Sequence, residues 1–219
     1  MSKIILSAIA IASAFSMASP AAAAVQVFNL SVSDPAAGLG SGPYGTVTVT
    51  ENGGALNFVE TLTAPYRIHD GNANHNALAF NIAGNLTITN LTMGFVAVSP
   101  DSATSVTGPP FGTFAAAIDC TTACSNGYAG GFVGPLSFTV TSSSGPLTLS
   151  SLTANTYNNL NVYFASDVVQ GNGNTGNVGG VAGGSPVPEP ATWAMMLVGF
   201  GAAGYSLRRR RRATALQAA

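Results

Sequence analysis

Thr46-Val47-Thr48-Val49-Thr50 and Leu136-Ser137-Phe138-Thr139-Val140-Thr141 alternate hydroxyl-bearing and apolar side chains with a period of two. Successive side chains of an extended chain point to opposite faces, so each stretch predicts a strand with one apolar and one wetted face. Leu86-Thr87-Ile88-Thr89 and Leu147-Thr148-Leu149-Ser150 repeat the pattern. Further strands are expected over 25–32, 56–62, 77–82, 93–98, 114–118 and 160–169. Turn chemistry separates them at Glu51-Asn52-Gly53-Gly54, Ser99-Pro100-Asp101 and Ser143-Ser144-Gly145-Pro146. Between the two ends of the chain no stretch shows an apolar stripe at helical spacing. Many short alternating strands with regular turns predict an all-β fold, a β-sandwich of jelly-roll or immunoglobulin-like type.

Charge narrows the partners of this region. Asp34, Glu51, Glu60, Asp70, Asp101, Asp119 and Asp167 face one cation, Arg67, so the near-neutral whole chain conceals an acidic middle. Such a domain does not attract nucleic acid or anionic lipid. Its solubility rests on Thr, Ser, Asn and backbone groups.

The two ends differ from the middle. Lys3, the apolar run Ile4 to Phe15 and the A-x-A site Ala22-Ala23-Ala24 describe a signal peptide over 1–24, cleaved after Ala24. At the other end Val187-Pro188-Glu189-Pro190 precedes an apolar run, Ala191 to Leu207, and then Arg208, Arg209, Arg210, Arg211 and Arg212. A helix over 192–207 is roughly 24 Å long. That is short for a ~30 Å hydrocarbon core, but arginine stems snorkel and a bilayer thins locally. One short transmembrane helix is therefore expected, with the arginines and the 213–219 tail in the cytoplasm and everything before Glu189 outside. The prolines end any helix and leave extended backbone open to a protease.

Pro188-Glu189-Pro190, two intervening residues, Trp193-Ala194, an apolar helix and an arginine cluster resemble the PEP-CTERM sorting signal of Gram-negative bacteria, in its PEPxxWA form. The resemblance covers 187–212 only. It implies a protein recognised by an exosortase, a membrane transpeptidase acting at or near the PEP motif. The protein would be anchored transiently in the inner membrane, then moved to the cell surface or matrix among exopolysaccharide. Trp193 also suits an interfacial anchor.

The middle divides into a 25–169 sandwich domain and a 170–186 linker. The Gly/Asn-rich text from Gln170 to Ser185 carries little apolar surface to offset its ordering entropy, so a flexible stalk is expected. A calcium-binding glycine-rich repeat needs regularly placed aspartates, and none occurs there. Cys120 and Cys124 are the only cysteines. In an exported chain they predict a disulfide closing a tight loop. Their spacing is not C-x-x-C, and two thiolates do not complete a tetrahedral zinc site.

One polar cluster invites a ligand. Asp70, Asn72 and Asn74 follow the D-x-N-x-N spacing of calcium loops, but His75 stands where the glycine belongs and Asn81 where the bidentate glutamate belongs. An Asx-rich turn is the simpler expectation, with a weak Ca²⁺ site as the alternative and no other cofactor. His69 and His75 flank this loop, and Asp70 is the only further ligand in view. No nucleophile elbow, zinc-protease helix, phosphate loop or dinucleotide fingerprint occurs, so no enzyme is expected. A carbohydrate-binding module would have to rely on Tyr44, Tyr66, Tyr128 and Tyr157, and a secreted hydrolase on scattered acids. The sequons at Asn29, Asn85 and Asn90 read as chance matches in Asn- and Thr-rich strands.

Overall fold

The computed structural model describes residues 23–69, 75–98, 106–124, 127–184, 196–202, 204 and 208. Five strands open the fold: β1 (Val25–Ser33), β2 (Gly45–Asn52), β3 (Ala55–Leu62), β4 (Arg67–Ile68) and β5 (Leu78–Phe80). They are followed by β6 (Leu86–Thr89), β7 (Phe95–Val98), β8 (Val106–Thr107), β9 (Thr113–Phe114) and β10 (Ala116–Cys120). A one-turn helix, α1 (Gly127–Gly130), leads to β11 (Leu136–Ser142), β12 (Asn155–Tyr157), β13 (Leu160–Val169) and β14 (Thr175–Ala182). One sheet takes the order β6-β11-β3-β2-β1-β14-β13-β5-β10-β7, with β4 and β12 also paired to β13. β8 and β9 form a separate two-stranded ribbon.

The alternation decides the inner face. Val47 and Val49 of β2, Leu56 and Phe58 of β3, and Leu136, Phe138 and Val140 of β11 are buried, while the Thr and Ser residues between them in β2 and β11, and Asn57 and Val59 in β3, look outward. Four strands separate β3 from β5 in the sheet order, which on a flat sheet would part them by about 24 Å. Yet the rings of Phe58 and Phe80 stack with centroids 5.4 Å apart, and Phe138 lies 5.7 Å from Phe80. The sheet therefore rolls nearly closed around an aromatic centre that also takes in Phe164 and Phe28. Burying each such ring is worth about 2–3 kcal/mol.

All-β is what the residues form. Two separately hydrogen-bonded layers, as in a jelly-roll or immunoglobulin-like sandwich, are not: twelve of the fourteen described strands share one curled sheet whose halves face each other. A second, smaller core explains why β13 breaks alternation and is buried almost throughout. Phe111 and Phe114, carried by and beside the β8–β9 ribbon, cover Ala79, Ala117, Val162 and Ala165 on the other face of β5, β10 and β13.

Two further expectations fail. Residues 147–150 form no strand; Leu149–Ser151 is a single 3-10 turn, where Thr148 N–H donates to Ser151 Oγ (3.1 Å) and Leu149 N–H to Glu51 Oε1 (2.7 Å). The second failure is larger. Thr175–Ala182 of the expected linker over 170–186 form β14, a central strand hydrogen-bonded to β1 on one side and β13 on the other. Its glycines are small for a packing reason. A Cβ on Gly179 would lie 3.0 Å from Phe111 Cε1 and 3.1 Å from Val162 Cγ1, and one on Gly180 would lie 3.0 Å from Phe164 Cβ. Large side chains of β13 and the ribbon fill the space that β14 leaves, and Val178 is wholly buried. The domain thus runs to Gly183, whose N–H donates to Val27 O (2.9 Å), not to residue 169.

Residues 196–202 are helical. No helix among the described residues is long and apolar enough to cross a membrane, so the expected transmembrane helix is not found among them.

Candidate functional site

An acid buried in an apolar strand needs partners, and among the described residues Asp167 of β13 meets two histidines. Its side chain is wholly buried, and its two oxygens each accept from a histidine: Oδ2 from His69 Nδ1 and Oδ1 from His75 Nδ1, both at 3.2 Å. An ionised carboxylate only accepts, so both Nδ1 atoms carry the protons. The backbone repeats the connection. His69 N–H donates to Asp167 O (2.9 Å), and Asp167 N–H donates to Asn76 O (3.1 Å). One residue thereby ties both legs of the excursion between Ile68 and Asn76 to the sheet.

The electrostatics follow from this geometry. Burial by itself would raise the Asp167 pKa, but the hydrogen bonds and charge of His69 and His75 outweigh it and hold the carboxyl below its ordinary value. His75 is raised, first by its hydrogen bond to Asp167, against the opposing effect of burial, with the charges of Asp167 and Asp34 adding. Sequence reading singled out both histidines but paired them with Asp70. The overlooked signal was the lone acid inside Val162-Tyr163-Phe164-Ala165-Ser166-Asp167-Val168-Val169.

Glu60 is a second buried acid, on the inner face of β3 beside the aromatic centre. Burial pushes its pKa up to about 8; the Ser166 hydroxyl pulls the other way. Neither Glu60 oxygen nor Ser166 Oγ completes a hydrogen bond of acceptable geometry, so burial dominates and the acid is neutral at pH 7.

The remaining predicted residues scatter. Asp70, Asn72 and Asn74 of the possible Ca²⁺ loop lie outside the described residues. Asn81, at the place of the bidentate ligand, is engaged elsewhere: its Oδ1 accepts from Ala115 N–H (2.8 Å) and its Nδ2 donates to Asn155 Oδ1 (3.2 Å). Among the described residues no three His, Cys, Asp or Glu side chains are arranged to hold a metal ion. Cys120 and Cys124 form the expected disulfide, Cα atoms 5.7 Å apart, beside the main core. Tyr44 and Tyr66 are buried against each other, ring centroids 4.9 Å apart. Tyr128 lies under the Arg67 guanidinium and Tyr157 against Phe111. The four tyrosines thus form no common exposed platform for a sugar.

Beyond β14 the chain changes character. Met196, Leu197, Val198 and Phe200 are 51 to 72% exposed, so this apolar helix does not pack on the domain. Arg208 is exposed as well, while Ala22, Pro188, Glu189, Pro190, Trp193, Ala194, Arg209, Arg210, Arg211 and Arg212 lie outside the described residues. Ala24, the expected last residue of the signal peptide, is exposed, and its carbonyl accepts from Glu51 N–H (2.8 Å). A family model described as the PEP-CTERM protein-sorting motif matches residues 186–212. The chain carries a PEP-CTERM sorting signal. That motif implies export and exosortase processing at the membrane before release. No curated protein and no solved structure matches the chain.

Proposed function

We propose that this PEP-CTERM protein is a structural component of the cell surface or extracellular matrix, associated with exopolysaccharide and without a catalytic role. One observation carries the proposal: the β domain closes at Gly183, and the sorting motif begins three residues later, at 186. The delivered product is then a compact domain with a hydroxyl-rich, charge-poor exterior. Its N-terminal signal peptide is removed after Ala24, consistent with β1 beginning at Val25. The apolar run before the arginines holds the precursor in the inner membrane until the exosortase acts.

The test is the intact mass of the exported form from cells with and without the exosortase, together with fractionation. The expected product starts near Val25 and lacks the arginine cluster, whereas cells without the enzyme retain the full tail in the membrane fraction. A native product that keeps Arg208 to Arg212 and dissolves without detergent overturns the proposal.

A further inference from the structure

The register places both ends of the domain at one pole. Phe28 pairs with Ala182, so the start of β1 and the finish of β14 leave the sheet side by side. Val25 pairs with Thr50 and Asn52 with Ala55, which brings the β2–β3 turn to the same pole. Val140 pairs with Leu56 and Leu147 N–H donates to Gly54 O (2.8 Å), which adds the turn after β11. The turn at Gln170 to Asn174, joining β13 to β14, lies at the opposite pole.

Chain length then limits where the sorting enzyme can stand. Pro188 is five residues beyond Gly183. Fully extended, that tether spans about 17 Å. A domain of about 160 residues has a radius of gyration near 15 Å, so the tether is no longer than the domain is thick. An enzyme holding Pro188 to Pro190 in its active site has no room to stand clear of the domain.

We propose that the pole formed by the β2–β3 turn and the turn after β11 docks against the extracytoplasmic face of the exosortase during processing. The proposal rests on the sorting reading above. What the pole offers is Asn52, Ser143 and Ser144, which are exposed, the exposed Val27, and the α-amino group that cleavage after Ala24 leaves on Val25; the nearby acid Glu51 is engaged by the Leu149 N–H.

The experiment places a photoreactive residue at Asn52, Ser144 or Asn172 of the full-length chain, in cells that make the exosortase. Adducts with the enzyme are expected from 52 and 144 and not from 172. Inserting a flexible Gly/Ser segment of about 20 residues between Gly184 and Ser185 lengthens the tether about fivefold, and adducts should fall about tenfold while processing continues. Equal yields from all three positions, or adducts from none, overturn the docking. Adducts that survive the insertion overturn the argument from tether length. A precursor that the enzyme never shortens, even with the natural tail, overturns the sorting reading instead.

Discussion

Glu60 makes the stability of this domain depend on alkali. Its folded pKa of about 8 lies above the ordinary 4.5, so the folded state holds a proton that the unfolded state releases. The stability associated with that proton is complete below about 4.5 and is lost as pH rises through about 8, a swing on the order of 4 kcal/mol. E60Q keeps the shape without the titration. In urea denaturation it is expected to flatten the decline between pH 6 and pH 9, and a variant that declines like the natural chain would show that another group is responsible. Asp167 works in the opposite sense. Its depressed pKa contributes stability above the ordinary carboxylate range, lost as pH falls through the folded value, while the raised His75 contributes below about 6.5. The histidine–carboxylate clamp is therefore strongest in mild acid. D167N removes the charge but leaves both imidazoles buried or half-buried, and should cost about 3 kcal/mol at pH 5.5. Chemical denaturation reads this directly, and a loss below about 0.5 kcal/mol would exclude the clamp.

At the scale of the element, β14 shows what composition conceals. Glycine and asparagine over 170–186 look like a stalk because no side chain announces a core. The apolar surface that orders this strand belongs to its neighbours: Phe111 and Val162 over Gly179, Phe164 and Leu30 over Gly180. A strand packed mainly by other elements is invisible to hydrophobic patterning. By contrast β2, β3 and β11 were legible, because their own Val, Leu and Phe residues supply one face of the core. G179V tests the difference. A branched side chain there meets Phe111 closer than van der Waals contact and should destabilise the domain by about 2 kcal/mol or more. Differential scanning calorimetry would register a Tm several degrees lower, whereas an unchanged Tm would return the segment to the role of a tether. The candidate site was half legible for a related reason. His69 and His75 lie six residues apart and catch the eye, but their partner arrives from β13, more than ninety residues along the chain.

For the molecule as a whole, the order of the strands matters as much as their number. β14 comes last in the chain yet sits in the middle of the sheet, bonded on both edges, and the tail continues from it directly. Whatever holds the carboxyl end, any mechanical pull transmitted through it enters the fold at Gly183. Drag on the domain would then have to tear β14 from β1 and β13 at once, two ladders rather than one. A body tethered in flowing water by a strand secured along both edges resists stripping better than one held by an edge.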